Sequence, residues 1–348
     1  MDAFDSVIVR MVTDDGCIGY GEGVPLSVVG DPAAMARLIN GPIADIVKGA
    51  DPFDVERLVT QAAVVAGADG DALAGMDLAL WDLIGKHLRQ PVYRLLGGLC
   101  QELIPVDYTI GAAAPERMAQ IAEAMRTAGF RGVVVKVTAE SVATDVARVR
   151  AVRRVLPVDC TVRVDCNGGY GRDDAVAFLK AIREMQIEFV EQPVAGSDLE
   201  GMRLCRQVGV PLSADESLNT PGDALALVRE QACDILNIKI PKVGGLLLAK
   251  RIAAIGAAAG LGIVVGGRTT LELSRYASRH FAASTAGAVG RAHEGPGPAS
   301  QALSDDVVTH RTTRAIVKET GGYVRVDPGV GLGADVAWEK VRQYAVAA

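Results

Sequence analysis

The chain has 348 residues, and its 36 Lys and Arg against 42 Asp and Glu give a net charge of −6 at pH 7. This balance excludes the basic surface that a nucleic-acid-binding protein needs, and it predicts a small-molecule partner. Hydrophobic residues make up 49% of the chain and charged residues 22%, which suits a large buried core and excludes a disordered protein. The length fits one large α/β barrel, or one barrel with a modest second domain, better than a string of modules.

The cysteine pattern and the N-terminal segment bear on location. Six cysteines are scattered without a C-x-x-C pair, which predicts reduced thiols rather than a disulfide framework. The N-terminal MDAFDSVIVRMVTDDG has no secretory-signal pattern, and the longest uncharged stretch, residues 252–267, is too short to span a bilayer. We therefore expect a cytoplasmic protein without a membrane segment.

The first hundred residues predict an α+β domain. DSVIVRMVT alternates like a strand, DDG predicts a turn before a second strand, and DALAGMDLALWDLIGKHL has a long helical pattern. We assign residues 1–105 to a capping domain. A C-terminal segment, residues 329–348, is expected to return to it with Trp338 as the apolar anchor.

From residue 106 onward, short runs rich in Val and Ile alternate with Ala-rich helical stretches. Continuous apolar strands separated by helices are typical of a parallel sheet that is covered on both faces. An open doubly wound sheet normally shows a glycine fingerprint after its first strand, and none follows a strand here. The predicted fold class is therefore α/β, with residues 106–328 forming a (β/α)₈-type barrel under the α+β cap.

Charged residues end the predicted barrel strands, where barrel enzymes have their active sites. These strand ends carry, in chain order, Lys136, Asp165, Glu191, Asp215, Lys239 and, near the predicted eighth strand, Glu294. Three neighbouring carboxylates cannot all stay ionised without a compensating cation, and ligands that are all oxygen favour Mg²⁺ or Mn²⁺ over Zn²⁺. The structural alternative is that one or two of these acids cap a helix or hold a buried Arg163.

Lys136 and Lys239 would end the second and sixth strands of a ring of eight and would therefore face each other. Two lysines on opposite sides of a metal-bound carboxylate can reach both faces of its α-carbon, one removing a proton and the other donating one.

Four further side chains are predicted to bind substrate or to support the site. Asn167 and Asn237 each lie two residues from a predicted ligand or lysine, and therefore on the same strand face. Arg268 is a candidate for holding a second substrate carboxylate, and His293 is a candidate for contacting the substrate.

The ordered motifs VVKV, RVDCN, VEQP, ADES and NIKIPKVGG resemble those of the enolase superfamily, specifically the muconate cycloisomerase (muconate-lactonizing) subgroup of its mandelate racemase/muconate lactonizing family. IGYGEGVP, AGMDLALWDLIGK, LLGG and PGVGLG are similar to that family's capping domain. The resemblance implies a metal-dependent isomerase that acts at the carbon α to a carboxylate through an enediolate intermediate. It further implies Mg²⁺ as the cofactor, with Mn²⁺ as an alternative, and a homo-oligomer.

The resemblance also implies roles for single residues. The metal ligands would be Asp165, Glu191 and Asp215, and the acid/base pair would be Lys136 and Lys239. Glu294, in HEGPGP, matches a glutamate that helps to stabilise the intermediate in the cycloisomerases.

Some positions depart from the family pattern. Val134 stands where the family's K-x-K motif has its first lysine, which predicts a more basic working pH than in relatives. The chain begins where the family's second cap strand normally lies. After the seventh strand, GGRTTLELS offers Glu272 or Thr270 for an expected glutamate. Glu216 directly follows a predicted ligand, and strand alternation predicts that it points away from the site.

Muconate-type cycloisomerisation (lactonisation) ranks first among the reactions, because Arg268 suits a diacid. The alternative is racemisation or epimerisation of N-substituted amino acids or proline derivatives, because these reactions use the same lysine pair as cycloisomerisation. The Asp-x-Asp with which dipeptide epimerases hold the substrate ammonium is absent from VGRAHEGPGP, which disfavours that activity. A non-catalytic metal-binding barrel is the alternative from another class, and the two lysines argue against it.

Overall fold

A computed structural model describes residues 4–25, 30–67, 69–293, 306–308, 317 and 319–345. The cap begins with an antiparallel hairpin of β1 (Val7–Val12) and β2 (Ile18–Gly23), and a long helix packs on this hairpin. The helices of the cap are α1 (Pro32–Leu38), α2 (Ala44–Val47), α3 (Val55–Ala66), α4 (Gly70–Leu88) and α5 (Val92–Leu95), with a π-helical turn at Ile39–Ile43.

Glycines at alternate positions of β2, in IGYGEG, allow the strand to lie against α4. A Cβ on Gly19 would stand 2.1 Å from the carbonyl oxygen of Ala79. A Cβ on Gly21 would stand 2.1 Å from the carbonyl oxygen of Gly75. Only glycine permits such a close approach of strand and helix, so this motif is what allows the cap to pack.

The second domain is built on a sheet of seven parallel strands whose spatial order follows the chain. The strands are β4 (Asp107–Ile110), β5 (Gly132–Lys136), β6 (Thr161–Asp165), β7 (Val190–Glu191), β8 (Leu212–Ala214), β9 (Ile235–Ile238) and β10 (Gly262–Val265). A helix follows each strand: α6 (Pro115–Thr127), α7 (Val142–Val155), α8 (Arg172–Ile182), α9 (Leu199–Arg206), α10 (Pro221–Arg229), α11 (Leu246–Ala258) and α12 (Glu272–Ala283).

His293 joins the two edges of this sheet. Its backbone N–H donates to Pro105 at 2.9 Å, and its carbonyl oxygen accepts from Asp107, the first residue of β4, at 3.0 Å. Its Nδ1 accepts from the N–H of Val265, the last residue of β10, at 3.2 Å. The parallel, helix-alternating sheet under an N-terminal cap is thus confirmed, and in the described residues the eighth position is a bridge at His293 rather than a strand.

Arg163 lies inside the curled sheet, one layer below the strand ends. Its Nη1 donates to Asp107 at 2.6 Å and to the carbonyl of Ala292 at 2.7 Å, its Nε donates to Glu188 at 2.8 Å, and its guanidinium lies over the ring of Phe189. The hydrogen-bonded carboxylates are those of Asp107 and Glu188. The acids at the strand ends are therefore not needed to hold this arginine.

Buried carboxylates of the cap bind the barrel. Glu22 of β2 accepts from the N–H groups of Leu271 (2.9 Å) and Ser274 (3.0 Å) at the start of α12. Asp77 of α4 accepts from the N–H of Leu246 at the start of α11. Burial raises the pKa of each carboxyl to about 7. Each carboxyl group faces the N-terminus of a helix, where the helix dipole favours negative charge.

The C-terminal part returns to the cap. Strand β11 (Tyr323–Arg325) pairs antiparallel with β3 (Leu103–Pro105), and a last helix, α13, covers Trp338–Tyr344. The ring of Trp338 lies 5.9 Å from that of Tyr20 in β2, and Arg10 of β1 lies over its face. The predicted contact of Trp338 with the cap is therefore present.

The six cysteines are all free thiols, in agreement with the scattered pattern. Within the described ranges, no helix is long and apolar enough to cross a membrane.

Candidate active site

Lys136 and Asp165 end the neighbouring strands β5 and β6 and pair in register. The Nζ of Lys136 contacts Oδ2 of Asp165 and donates to Oδ1 of Asn167 at 3.0 Å. A quarter of the Lys136 side chain is exposed, whereas Asp165 is almost fully buried. One predicted lysine therefore lies directly against one predicted metal ligand.

Lys239 follows the last residue of β9 and lies against the other two predicted ligands. Its Nζ is 2.6 Å from Oδ2 of Asp215, which follows β8, and 3.6 Å from Oε1 of Glu191, which ends β7. All three residues are more than nine-tenths buried. Burial alone would raise the pKa of Asp215, but the ammonium of Lys239, together with a second lysine described below, holds it well below its usual value.

The two lysines stand at opposite ends of a row of carboxylates. Asp165, Glu191 and Asp215 belong to three consecutive strand ends, and this set is called the carboxylate row. Lys136 contacts the row from β5, and Lys239 contacts it from beyond β9. Because consecutive strands of the sheet turn around one centre, a small carboxylate placed over the row would have a lysine on each side.

Lys242, in NIKIPKVGG, contributes a second buried ammonium that was not predicted as a site residue. Its Nζ donates to both the backbone carbonyl and Oδ1 of Asp215. Burial lowers the pKa of Lys242, an effect that Asp215 opposes and the charge of Lys239 reinforces. The sequence signal that could have identified Lys242 is its spacing of three residues from Lys239, because this spacing places both lysines beside the same turn.

Asn167 and Glu216 extend the site beyond the row. The Nδ2 of Asn167 donates to Oε1 of Glu216 at 3.1 Å, and its backbone N–H donates to Asp165 at 2.8 Å. Glu216 thus faces the site, contrary to the alternation argument. The reason is that β8 ends at Ala214 and the N–H of Leu218 closes a turn on Asp215, so alternation stops before Glu216. Burial and the charge of Asp215 raise the pKa of Glu216.

Asn237 lies one step deeper in the barrel than Lys239. It is 1% exposed, and in the part of the chain that the structure describes its Oδ1 has no hydrogen-bond partner. A Cβ on Gly266 would stand 2.2 Å from that oxygen and 2.8 Å from Cε of Lys239. Gly266 therefore fits closely over both side chains. A direct role for Asn237 in substrate binding stays a prediction.

Arg268 and His293 line a cavity together with Ser274, Arg275 and other residues of α12. Arg268 is bound by Asp71 of the cap, with its Nη1 within 2.7 Å of both carboxylate oxygens. Burial and the charge of Arg163 lower the pKa of His293 to about 3, so its ring is neutral at pH 7. The substrate roles of Arg268 and His293 stay predictions.

Three further positions follow the seventh predicted strand. Glu294 lies outside the described residues. Glu272 is the first residue of α12, and its carboxylate pairs with Arg279 at 2.8 Å and with Arg275 at 3.8 Å. Thr270 precedes the helix and lines the cavity. The acid expected after the seventh strand is therefore tied to two arginines of its own helix.

The donor chemistry of the carboxylate row fits a hard divalent cation, since it offers buried carboxylate oxygens alone. Lysine ammonium groups now compensate the row: Lys136 lies on Asp165, and Lys239 and Lys242 lie on Asp215. With the side chains turned to these lysines, no three His, Cys, Asp or Glu side chains in the described ranges converge as a ligand set. A cation would replace the ammonium groups as the compensating charge.

Two known family models match most of the chain. The family model described as "Enolase C-terminal domain-like" matches residues 116–341, and that described as "Mandelate racemase / muconate lactonizing enzyme, N-terminal domain" matches residues 1–97. The chain belongs to the mandelate racemase/muconate lactonizing family of the enolase superfamily. The resemblance predicted from the motifs is confirmed, and the muconate cycloisomerases are one of several groups within it that the chain is similar to.

Three similar members of this family are isomerases of different kinds. A hydrophobic dipeptide epimerase from Enterococcus faecalis is 35% identical over 81% of this chain and 80% of its own length. A muconate cycloisomerase from Rhodococcus opacus is 31% identical over 99% of this chain and 92% of its own length. The crystal structure of N-succinyl Arg/Lys racemase from Bacillus cereus has a TM-score of 0.89 at 28% identity, covering 98% of this chain and 90% of that chain. The chain is accordingly an isomerase.

Two of the similar structures were crystallised with Mg. The dipeptide epimerase from Enterococcus faecalis, crystallised with Mg and the dipeptide L-Leu-L-Tyr, has a TM-score of 0.87 at 32% identity and covers 95% of this chain and 91% of that chain. A divalent metal cofactor is therefore supported for this family.

Proposed function

We propose that the chain is a racemase or epimerase that acts at the carbon α to the carboxylate of an N-acylated amino acid. The observation that carries this proposal is the position of Lys136 and Lys239 at opposite ends of the carboxylate row. A reaction that removes a proton from one face and returns it to the other needs a base and an acid on opposite sides.

The two lysines exchange roles with the direction of the reaction. One neutral lysine takes the α-proton, so the Cα–H bond breaks and an N–H bond forms. The ammonium of the other lysine then donates, so its N–H bond breaks and a Cα–H bond forms on the opposite face. The configuration at the α-carbon is inverted, no atom is gained or lost, and the two lysines end with their protonation states exchanged.

Asp165, Glu191 and Asp215 would hold the divalent cation, Mg²⁺ or Mn²⁺. When bound, such a cation supplies positive charge that stabilises the negative charge developing on the substrate carboxylate as the α-proton leaves. The residues of the chain orient the substrate and move the proton. Asn167 would hold Lys136 and Asp165 in place through its amide and its backbone N–H. The role of Glu294 in stabilising the intermediate stays a prediction from the family resemblance.

The substrate class follows from two features. VGRAHEGPGP lacks the paired aspartates that would hold a free ammonium, which favours an N-acyl group over a dipeptide N-terminus. Arg268, the ground for ranking a diacid first, is bound by Asp71. Cycloisomerisation of a muconate-type diacid stays the second candidate, because the similarity to a muconate cycloisomerase extends over 99% of the chain.

The test is deuterium exchange at the α-carbon in D₂O with Mg²⁺. The panel contains N-succinyl and N-acetyl amino acids, dipeptides, proline betaines and cis,cis-muconate, each followed by NMR and by chiral chromatography. Exchange with inversion of N-acyl amino acids is the expected result. Lactone formed from muconate, without exchange in the other compounds, would establish the second candidate. Metal binding with no turnover of any carboxylate would support the non-catalytic barrel.

The location in the cell and the quaternary structure are further proposals. A cytoplasmic location stays a prediction from the cysteine pattern and the N-terminal sequence, and a homo-oligomer stays a prediction from the family resemblance. Size-exclusion chromatography with light scattering tests the second directly.

A further inference from the structure

Gln192 sits directly after Glu191, at the point where β7 ends, and it is completely buried. Its backbone has a φ of 38°, in the left-handed region that a residue with a side chain adopts at a cost. Surrounding contacts must therefore hold it in this conformation. In the sequence, Gln192 is the third residue of the VEQP motif, and no role was predicted for it.

Both ends of the Gln192 carboxamide form hydrogen bonds: the oxygen accepts from the loop after β8, and the nitrogen donates within its own loop after β7. Its Oε1 accepts from the backbone N–H of Asp215 at 3.0 Å, from the N–H of Ser217 at 3.2 Å and from Oγ of Ser217 at 2.9 Å. Its Nε2 donates to the carbonyl of Val194 at 2.9 Å. One carboxamide thus binds the backbone of a predicted metal ligand on the adjacent strand.

The backbone of Gln192 forms hydrogen bonds to both neighbouring strand-and-loop segments. Its N–H donates to the carbonyl of Ser213 in β8 at 2.9 Å, and its carbonyl accepts from the N–H of Gly168 at 2.7 Å. Gly168 lies in the turn after β6, next to Asn167, whose own N–H binds Asp165. Gln192 therefore touches the strand-end loops that carry all three members of the carboxylate row.

We infer that Gln192 is the positioning residue of the carboxylate row: it fixes the relative placement of the Asp165, Glu191 and Asp215 loops for binding a divalent cation. This inference rests on the proposed function, because it takes the row to be the metal site. Gln192 touches neither the substrate nor the cation, and it acts through the three loops.

The chemistry of the contacts explains why an amide is suited to this position. The oxygen must accept from three donors while the nitrogen must donate to a carbonyl, and only Asn and Gln carry both functions on one group. A glutamate would place a fourth negative charge beside the row and would face the Val194 carbonyl without a proton. A methionine of similar size would leave buried N–H groups unsatisfied, each at a cost of about 1–3 kcal/mol.

Residues that orient metal ligands typically change metal affinity by about 10–100-fold when they are replaced. We expect Gln192→Met to raise the dissociation constant for Mn²⁺ within that range. At saturating metal, kcat should change far less than the metal concentration required for half-maximal activity, because the reacting lysines keep their places.

A matched control is available at the other end of the barrel. Gln101 also uses its whole carboxamide: Nε2 donates to the carbonyls of Ala282 and Ala288, and Oε1 accepts from the N–H of Gly290. Gln101→Met removes a similar set of side-chain hydrogen bonds without touching the loops of the carboxylate row. It should lower the melting temperature and leave Mn²⁺ affinity within threefold of that of the parent protein.

The experiment is a titration of the metal-free full chain with Mn²⁺, followed by the electron paramagnetic resonance signal of free Mn²⁺, with circular dichroism to verify folding. A folded Gln192→Met protein that binds Mn²⁺ within threefold of the parent would overturn the inference. If Gln192→Met does not fold, Gln192→Asn, which keeps the amide but cannot reach the same donors, provides the same comparison, and Ser217→Ala removes one bond alone.

The outcome separates this inference from the proposed function. If the parent protein binds no Mn²⁺, or binds it equally well after Asp165→Asn, the proposed metal site itself fails. If the parent binds Mn²⁺ and Asp165→Asn abolishes binding while both Gln192 variants bind normally, only the positioning role fails.

Discussion

The Nη1 of Arg268 lies 2.7 Å from Oδ1 and 2.6 Å from Oδ2 of Asp71, so that one nitrogen bridges both oxygens of the carboxylate. Asp71 belongs to α4 of the cap, and Arg268 belongs to the loop after β10 of the barrel. Burial raises the pKa of Asp71, and Arg268 offsets part of that effect. The pair therefore joins the two domains beside the barrel mouth.

Removing Arg268 should destabilise the protein, because it leaves Asp71 buried without its cation. We expect Arg268→Gln to lower the free energy of unfolding at pH 7 by about 2–3 kcal/mol. This loss lies at or below the lower bound for breaking a fully buried pair, because 18% of the arginine side chain is exposed. The double variant with Asp71→Asn should recover most of the loss in urea denaturation. Fully additive losses would contradict this coupling, and a rise in KM confined to diacids would instead assign Arg268 to substrate.

The raised pKa of Glu22 predicts that the protein becomes less stable as the pH rises. Burial raises its pKa from 4.5 to about 7, so between these values the folded protein binds a proton that the unfolded chain does not. The free energy of unfolding should therefore fall as the pH rises through this window, by up to about 3 kcal/mol from this group. Urea denaturation at pH 5 and pH 8 measures the change. Glu22→Gln should reduce the change by this amount and leave the contribution of Asp77, whose pKa is also raised to about 7; an equal slope in both proteins would count against the assignment.

Metal removal tests the carboxylate row. Adding Mg²⁺ at a hundred times its dissociation constant to protein treated with a chelator should stabilise the fold by about 2.7 kcal/mol. Glu191→Gln should abolish this gain, and it should leave the metal-free protein about as stable as the parent because lysines already compensate the row. Glu184→Gln, an exposed substitution, is the control. A gain that persists in Glu191→Gln would place the cation elsewhere.

Strand ends were the most informative sequence feature. Reading the last residue of each apolar run brought together Lys136 with Asp165, and Lys239 with Asp215, because parallel strands present their ends at one edge. The family followed from the motifs at these ends. The carboxylates turn toward lysines rather than toward each other, which strand periodicity does not determine.

Contacts beyond the strand ends could not be predicted in the same way. Glu216 was misjudged because alternation ends with β8 at Ala214. The Arg268 and Asp71 pair spans 197 residues and belongs to no local pattern. Gln192 acts through loop hydrogen bonds, which depend on the positions of three turns at once.

The central claim, that Lys136 and Lys239 move protons on opposite faces of one α-carbon, is tested most directly by following deuterium exchange separately in each enantiomer of a turned-over N-acyl amino acid. Lys136→Ala and Lys239→Ala are compared with Lys180→Ala, an exposed control on α8. Each active-site variant should lose racemisation by about 10²–10⁴-fold while still exchanging the α-proton of one enantiomer, and the enantiomer that exchanges should differ between the two variants. Loss of exchange from the same enantiomer in both variants, or racemisation near the parent rate in either, would contradict the account.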